Sequence, residues 1–392
     1  MSILWETILQ INWQMIVMWV IGGILIYLAI KKDMEPTLLL PMGFGAILVN
    51  LPLSGAVTRY FQNGAEITVQ KYNELLAAGE EGLSVTEGAL TTLFEAGISN
   101  ELFPLILCIG LGAMIDFGPL LSNPKLMIFG AAAQFGIFFT LCLASVFFDI
   151  NDAASIAIIG AADGPTSIVV ANKLNSTYLG AIMVAAYSYM ALVPIIQPPV
   201  IKLLTTKEER KIRMPYKPAA VSKTTRILFP IIITVVAGLV APDSVSLVGF
   251  LMFGNLIREC GVLDSLSETA QKVLANLITI FLGITIATRM VWNEFLVPNT
   301  LLILGLGLVA FIFDTAGGVL FAKLLNLFMK EKINPMIGAA GISAFPMSGR
   351  VVHKMGLKED PQNFLLMHSI GVNVSGQIAS VIAGGLILNF FM

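Results

Sequence analysis

The chain has 392 residues, of which 56% are hydrophobic and 12% are charged, and its formal net charge is −2. Soluble proteins carry about 25% charged residues, so this composition excludes an ordinary soluble domain and a disordered chain. The small net charge and a single basic cluster argue against a nucleic-acid binder, and three cysteines without CxxC spacing argue against a disulfide-stapled secreted domain. Apolar blocks close to spanning length predict an all-α polytopic membrane protein.

The chain starts without the basic region and small-residue cleavage site of a secretory signal. We therefore expect the apolar stretch 13–30 to be a retained helix, which together with the block 36–53 forms the first-half scaffold helices of residues 1–53. Residues 54–100 carry six glutamates against Arg59 and Lys71. This segment is predicted to be an extracytoplasmic acidic insertion that forms a solvated cap.

Residues 101–201 are predicted to form the core of the first half. Residues 202–226 hold eight Lys or Arg against two glutamates, and the positive-inside rule makes this segment a basic cytoplasmic loop. Lys32 belongs on the same side. Five apolar blocks separate the two basic regions, and five full crossings would leave them on opposite sides, so at least one block should enter the membrane and return.

The best candidate for the returning block is interrupted at residues 160–167, where Gly164-Pro165 breaks the helical pattern. Unwound backbone survives in lipid only where protein or a water-filled cavity satisfies it. Asp163, Thr166 and Ser167 supply oxygen ligands at this break, which suit Na⁺, and Asp163 is equally able to take a proton. The plain alternative is that Asp163 only caps a half-helix.

An internal repeat supports a site at this break. Ile159-Gly160-Ala161-Ala162 recurs 178 residues later as Ile337-Gly338-Ala339-Ala340, and Phe103 meets Phe281 at the same offset. Paired broken segments in two halves are typical of transporter-like sites at mid-membrane, commonly built from inverted repeats. We therefore expect two inverted repeats with broken helices or re-entrant hairpins. The second half is predicted to have scaffold helices at 227–270 and a core at 271–392, and that core is broken at 334–350 and 371–377.

The second-half break offers a second set of neutral oxygens. Asn334 and Ser343 flank Gly338, and this segment fits either a second ion site or close helix packing by small residues. Asn373, in the polar patch of the last apolar block, fits either an ion ligand at the other wall of the first site or an interhelical hydrogen bond.

Other polar residues have two interpretations each. Tyr187 and Tyr189 fit a proton relay or an interfacial aromatic belt. Arg350 fits a receptor for a carboxylate substrate or, with its basic neighbours, an interfacial anchor. Three acidic residues in or beside the apolar blocks fit either pathway residues or segment caps: Asp116, Glu294 and Asp314. His368 fits a contact between helices better than a catalytic role.

The sequence contains no P-loop, GxSxG, HExxH or Rossmann motif, which leaves a transporter or the membrane part of a larger machine. The chain resembles the β subunits of bacterial sodium-pumping, biotin-dependent decarboxylases. The resemblance spans nearly the whole length. It rests on motifs at residues 40–46, 110–119, 160–166, 187–194 and 334–343, and on the segment around Asn373.

The resemblance implies a reaction and a set of roles. In that family a soluble carboxyltransferase loads biotin on a carrier, and the β subunit decarboxylates the carboxybiotin while Na⁺ moves outward. Carried over by motif, Asp163 is the central ion and proton carboxylate, Tyr189 a proton relay and Arg350 a carboxybiotin contact. The residues expected to bind Na⁺ are Asp163, Thr166, Asn334, Gly338, Ser343 and Asn373.

The expected partners follow from the same resemblance: a carboxyltransferase α subunit, a biotin carrier subunit and a small membrane subunit, assembled with a homo-oligomer of this chain in the bacterial cytoplasmic membrane. Na⁺ and carboxybiotin are the expected small molecules, and no nucleic acid is expected. Two other interpretations remain open at this point. One is a stand-alone Na⁺-coupled organic-anion transporter of elevator type, and the other is an assembly anchor without transport.

Overall fold

The computed structural model describes residues 8–32, 35–67, 69–215 and 220–392, and most of these are helical. The chain divides into two compact units. The first takes the described residues up to Phe103 together with Thr279–Val297, and the second takes Pro104–Ile278 and Pro298–Met392.

The elements of the first half begin with two apolar helices and end with a long one. They are α1 Trp13–Lys32, α2 Pro36–Val49, β1 Arg59–Gln62, β2 Ala65–Ile67, α3 Val69–Ala77, β3 Leu83–Thr86, α4 Ala89–Phe94, a π segment Glu95–Ser99, α5 Leu102–Met114, α6 Gly118–Ser122, a 3-10 turn Pro124–Leu126, α7 Met127–Ala133, α8 Phe135–Ala144, α9 Ile150–Ala157, a 3-10 segment Ile158–Ala161, α10 Gly164–Lys173 and α11 Leu179–Leu204.

The second half has a similar order of elements after a short surface helix. They are α12 Lys207–Arg210, α13 Lys223–Val240, a 3-10 turn Pro242–Ser244, α14 Val245–Glu259, α15 Asp264–Glu268, a π segment Thr269–Leu274, α16 Ala275–Ile286, a 3-10 turn Ala287–Arg289, α17 Trp292–Phe295, α18 Pro298–Phe328, a 3-10 segment Pro335–Gly341, α19 Met347–Glu359 and α20 Leu366–Phe391.

The helices confirm a polytopic helical membrane protein. Across the part of the chain that the structure describes, seven helices are long and apolar enough to cross a membrane. An eighth candidate is the bent pair Ala89–Ser99 and Leu102–Met114, whose axes differ by 64°. The chain is therefore a multi-pass membrane protein.

The acidic stretch contains the one departure from an all-helical fold in the described residues. Strands β1, β2 and β3 form an antiparallel sheet in the order β2-β1-β3, and the rings of Tyr60 and Tyr72 lie 4.9 Å apart where α3 meets the sheet. Helical structure resumes at Ala89, and the side chains of Leu90 and Phe94 are buried. The acidic stretch thus contains a small sheet with a helix packed on it, and its last residues belong to the helical part.

Glycines bring the helices of the second unit into backbone contact. A methyl group at Gly112 of α5 would collide with the carbonyl oxygen of Leu251 in α14, and one at Gly254 of α14 would collide with that of Ile109 in α5. Membrane helices lack a hydrophobic driving force between them, so such close backbone approach provides much of their association energy.

We predict that Gly254→Ala lowers the stability of the protein, because the added methyl group must push α5 and α14 apart. Overpacking of this kind costs about 1–3 kcal/mol. The midpoint of thermal unfolding in detergent measures the change. Gly305→Ala is the matched control, since a methyl group there meets no other atom. Equal midpoints of thermal unfolding for the two variants would contradict the close packing of α5 on α14.

Candidate functional site

The first broken helix ends in strained backbone at the carboxylate. After the 3-10 segment Ile158–Ala161, Ala162 adopts a left-handed conformation with φ of 53°, and Asp163 is extended. A left-handed alanine costs about 1–2 kcal/mol. Helix α10 then starts at Gly164, with Pro165 in its first turn, where a missing N–H does no harm. The break expected from Gly164-Pro165 is therefore present.

The carboxylate of Asp163 is buried and receives two hydroxyl groups. Thr166 Oγ1 donates to Oδ2 at 2.7 Å, and Ser380 Oγ lies 3.3 Å from the same oxygen. Asp163 is 7% exposed, while Thr166 and Ser380 are fully buried. Ser167 is occupied elsewhere, because its hydroxyl donates to the backbone carbonyl of Asp163 at 2.9 Å.

Asp163 lacks a cationic partner among the described residues. None of the ion pairs among the described residues involves it. Asp163 directly precedes α10, and its side chain binds the Thr166 hydroxyl in the first turn of that helix. A buried carboxylate without a counter-charge is expensive in a membrane protein and usually faces an ion or a proton.

Tyr187 is the phenol next to this carboxylate. Its ring presses on Gly164, where a methyl group would collide with the ring carbon that carries the hydroxyl. That hydroxyl is buried and has no hydrogen-bond partner. Tyr187 and the buried thiol of Cys108 are both close enough to Asp163 to interact with it electrostatically.

The second broken segment meets the first. Ser343 N donates to Ala161 O at 3.2 Å, so unwound backbone of the second half bonds to the 3-10 segment that leads to Asp163. Ser343 Oγ donates to Gly376 O at 3.1 Å, and Gln377 Nε2 donates to Ser343 O. Helix α20 therefore holds the second break.

Asn373 also belongs to this junction. Its Nδ2 donates to Ile342 O at 2.6 Å, while its buried Oδ1 has no partner. The three segments that the sequence singled out, at 160–167, 334–343 and 371–377, are thus joined by direct hydrogen bonds. The helix α20 adds Ser380 to the first break and Asn373 to the second.

Gly338 and Asn334 have structural roles in the geometry observed. A methyl group at Gly338 would collide with Gly318 O of α18, so this glycine permits close packing. Asn334 Nδ2 donates to the carbonyls of Arg210 and Ile212 at 2.9 Å each, and its Oδ1 accepts from Met336 N at 3.1 Å. Asn334 ties the second break to the loop after α12.

The same loop is fixed by two ion pairs at the end of α19. Arg210, which is buried, contacts Glu359 at 2.8 Å, and Arg213 contacts Asp360 at 2.6 Å. The hydrogen bonds from Arg213 lower the pKa of the Asp360 carboxyl below its usual value. The pair therefore stabilises the fold above the ordinary pKa of aspartate, and that contribution disappears as the pH falls through the lowered pKa. Residues 216–219 of the basic loop lie outside the described residues.

Tyr189 and Arg350 lie apart from the carboxylate. The Tyr189 hydroxyl donates to Leu304 O at 2.5 Å, and its ring packs on Gly307. Arg350 is exposed near the start of α19. The structure therefore brings Tyr187, rather than Tyr189, to Asp163.

The remaining acidic candidates divide by burial. Asp116 Oδ1 accepts from Gly118 N at 2.8 Å and lies 3.8 Å from Arg226, which makes it a turn residue. Asp314 is 1% exposed, and neither of its oxygens has a hydrogen-bond partner. Its carboxylate lies against Gly136 and Gly160, where any larger residue would collide with it.

Comparison with known proteins identifies the family of this chain. Residues 14–391 match the family described as Na⁺-transporting oxaloacetate decarboxylase beta subunit. The chain belongs to this family. The decarboxylase resemblance expected from the sequence motifs is confirmed, and the elevator-type transporter is not favoured.

Members of this decarboxylase family match over nearly their full length. The chain is 47% identical to methylmalonyl-CoA decarboxylase subunit beta of Propionigenium modestum, over 97% of this chain and 96% of the relative. It is 46% identical to oxaloacetate decarboxylase beta chain 2 of Salmonella typhi, over 96% and 95%. It is also 46% identical to glutaconyl-CoA decarboxylase subunit beta of Acidaminococcus fermentans, over 96% and 93%.

The sequence analysis did not predict that Ser380 contacts the Asp163 carboxylate. Ser380 lies 217 residues after Asp163 in an apolar stretch, and no local motif marks it. Its position three residues after Gln377, one turn along the helix that carries the polar patch, is the signal that was available. Tyr187 was considered in the sequence, but nothing there separates it from Tyr189.

Proposed function

We propose that this chain is the membrane subunit of a Na⁺-transporting, biotin-dependent decarboxylase. It decarboxylates carboxybiotin delivered by a carrier subunit, and it couples this reaction to outward Na⁺ transport with consumption of a proton. The observation that carries the proposal is the buried Asp163 carboxylate, which lies at a helix break beside two hydroxyl groups and has no cationic partner.

The chemistry links a proton to the ion. Carboxybiotin decarboxylation breaks the bond between the biotin nitrogen and the carboxyl carbon, releases CO₂ and leaves a nitrogen that takes up one proton. An ionised Asp163 binds Na⁺, and a proton that replaces the Na⁺ lets the ion leave outward. That proton then passes to biotin. Exchange at one carboxylate thus couples decarboxylation to transport.

The oxygen atoms at the first break fit Na⁺. Thr166 and Ser380 already contact Oδ2 of Asp163, and each hydroxyl keeps lone pairs for a cation. Hard cations prefer carboxylate, hydroxyl and carbonyl oxygens of this kind. Tyr187 is a further neutral oxygen close by, with an unpartnered hydroxyl.

A second ion-binding segment is proposed at the second break, formed by Asn334, Gly338, Ser343 and Asn373. The unpartnered Oδ1 of Asn373 is its best-supported ligand. Asn334 and Gly338 contribute chiefly by holding the backbone of this segment.

Two residues outside the carboxylate site complete the proposed reaction. The exposed Arg350 receives the carboxylate of carboxybiotin, because a guanidinium binds a carboxylate with two parallel hydrogen bonds. Tyr189 is proposed as the proton relay. Its phenol lies in the part of α11 that also carries Tyr187, and in the geometry observed it donates to Leu304 O.

Reciprocal contacts support two inverted repeats. Asn50, which directly follows α2 in the stretch Asn50-Leu51, donates to Met290 O and accepts from Trp292 N. In the second half the matching stretch is Asn255-Leu256, and Asn255 of α14 donates to Ile115 O. Each asparagine thus binds the end of a helix in the other repeat. Such an exchange is what a twofold relation between the halves produces.

The direction of equivalent helices supports the inversion itself. Phe139 of α8 stacks on Phe313 of α18, and Phe135 packs on Gly317, so these helices, related by the 178-residue offset, run antiparallel. Phe103 and Phe281, also equivalent, stack on each other. Repeats related by an axis in the membrane plane have this arrangement.

The proposed topology follows the charges. The basic loop 202–226 faces the cytoplasm, and the acidic insertion 54–100 faces outward. The proposed partners are a carboxyltransferase α subunit, a biotin carrier and a small membrane subunit, with a homo-oligomer of this chain.

The carboxyltransferase selects the acid that is decarboxylated. The length of the alignments favours an acyl-CoA as this acid, because the alignment with the methylmalonyl-CoA relative spans 386 residues, whereas that with an oxaloacetate relative spans 411.

We predict that Asp163→Asn abolishes Na⁺-stimulated decarboxylation of free carboxybiotin by the purified chain in detergent, because a neutral amide exchanges neither Na⁺ nor a proton. Release of CO₂ with and without Na⁺ is the measurement. Asp264→Asn, at an exposed carboxylate, is the matched control and keeps its activity. Full Na⁺-stimulated turnover in the Asp163 variant would refute the role. Wild-type protein that binds Na⁺ without any turnover would favour a transporter instead.

We predict that Ser380→Ala weakens Na⁺ binding about fivefold, since one hydroxyl contact to the site contributes about 1 kcal/mol. Binding of Na⁺ measured by calorimetry in detergent checks this. Ser369→Ala is the control on the same helix, because its hydroxyl donates to the carbonyl of Leu365, which directly precedes α20. An unchanged affinity in Ser380→Ala would exclude this hydroxyl from the ion site.

A further inference from the structure

Helix α19 carries a basic stripe along one face. Arg350, Lys354 and Lys358 recur at every fourth position, and all three are exposed. The opposite face is buried through Val352 and Met355, among others. Residues four apart lie on one side of a helix, so the three cations form one line.

The stripe has no anionic partner within the described part of the chain. The two acidic residues at the end of α19, Glu359 and Asp360, are engaged by Arg210 and Arg213. None of the ion pairs there includes a residue of the stripe. The line of charge is therefore uncompensated.

The stripe runs from the second break to the basic loop. Helix α19 begins directly after the second break, which bonds to the segment of Asp163 through Ser343. It ends where Glu359 binds the basic loop. With a rise of 1.5 Å per residue, the stripe spans about 12 Å between these ends.

Three unpaired cations on one helix face cannot lie against lipid hydrocarbon. A charged side chain in the hydrocarbon region lies against water, an opposite charge or backbone carbonyls. Because the stripe is exposed on the chain and unpaired, its face borders water or an anionic ligand. The guanidinium of Arg350 is at the end of the stripe nearest the second break, and it offers two parallel donors to a planar carboxylate. The two ammonium groups lie further along α19 and act as point charges.

We propose that this stripe is the path along which an anionic carboxylate on a flexible arm travels to Arg350. The inference rests on the proposed function, in which that arm is carboxybiotin. Lys358 and Lys354 attract the carboxylate from the end of α19, and Arg350 holds it beside the second break. Attraction by a line of like charge raises the local concentration of an anion and weakens with added salt.

The test uses Lys354→Gln combined with Lys358→Gln in the purified full chain, in detergent without anionic lipid. The KM for free carboxybiotin is expected to rise about fivefold at low ionic strength with kcat unchanged. The difference from wild type is expected to shrink at about 0.5 M salt, where charges are screened. Lys330→Gln is the control: this lysine is exposed and lies outside α19, and its KM stays at the wild-type value.

Three results would overturn the path. One is an unchanged KM in the double variant. Another is a raised KM for the loaded carrier protein alone, which would make the stripe a docking surface for the carrier. The third is an effect seen only in vesicles that contain phosphatidylglycerol, which would make it a lipid site. Absence of Na⁺-stimulated turnover in the wild type would contradict the proposed function rather than the path. Binding of Na⁺ by the double variant shows that this variant is folded.

Discussion

The structure depends on one constraint, which is that the Asp163 carboxylate is buried without a positive side chain. Two hydroxyl groups on one oxygen do not balance a full charge in a membrane interior. In the proposed function, a proton or a Na⁺ ion supplies the missing positive charge. The proposed exchange of a proton for Na⁺ needs this property, because a salt bridge at Asp163 would remove the reason for either to bind.

Several contacts near the carboxylate satisfy unwound backbone, which lipid alone cannot do. The chain turns at the left-handed Ala162, and the second break binds the carbonyl just before it, because Ser343 N donates to Ala161 O. Helix α20 binds both breaks, through Ser380 on one side and Asn373 on the other. Any shift of α20 would therefore change both sets of oxygens together, which gives the two halves a physical means of communication.

Much of this arrangement is readable from the sequence, for local reasons. Gly164-Pro165 disfavours an uninterrupted helix, and a carboxylate beside such a break in an apolar block points to a site. The offset of 178 residues placed Phe103 opposite Phe281 in the repeat, and the rings do stack. The motifs also identified the decarboxylase family correctly.

Other features depend on contacts between distant segments and have no local signal. Ser380 reaches Asp163 only because α20 passes the first break, and Tyr187 differs from Tyr189 only in the side of α11 on which it lies. The small sheet in the acidic segment was missed because its strands are three or four residues long and polar. Asn334 looked like a ligand from its place at a break, yet its amide binds the loop after α12.

The central claim is that Na⁺ and a proton compete for Asp163. The most direct measurement is proton release on addition of Na⁺ to the purified chain in weakly buffered detergent solution. The account predicts that the wild type releases up to about one proton for each Na⁺ bound at this site, with an amount that depends on pH, and that Asp163→Asn releases none. Binding of Na⁺ without proton release in the wild type, or equal release in the variant, would contradict it.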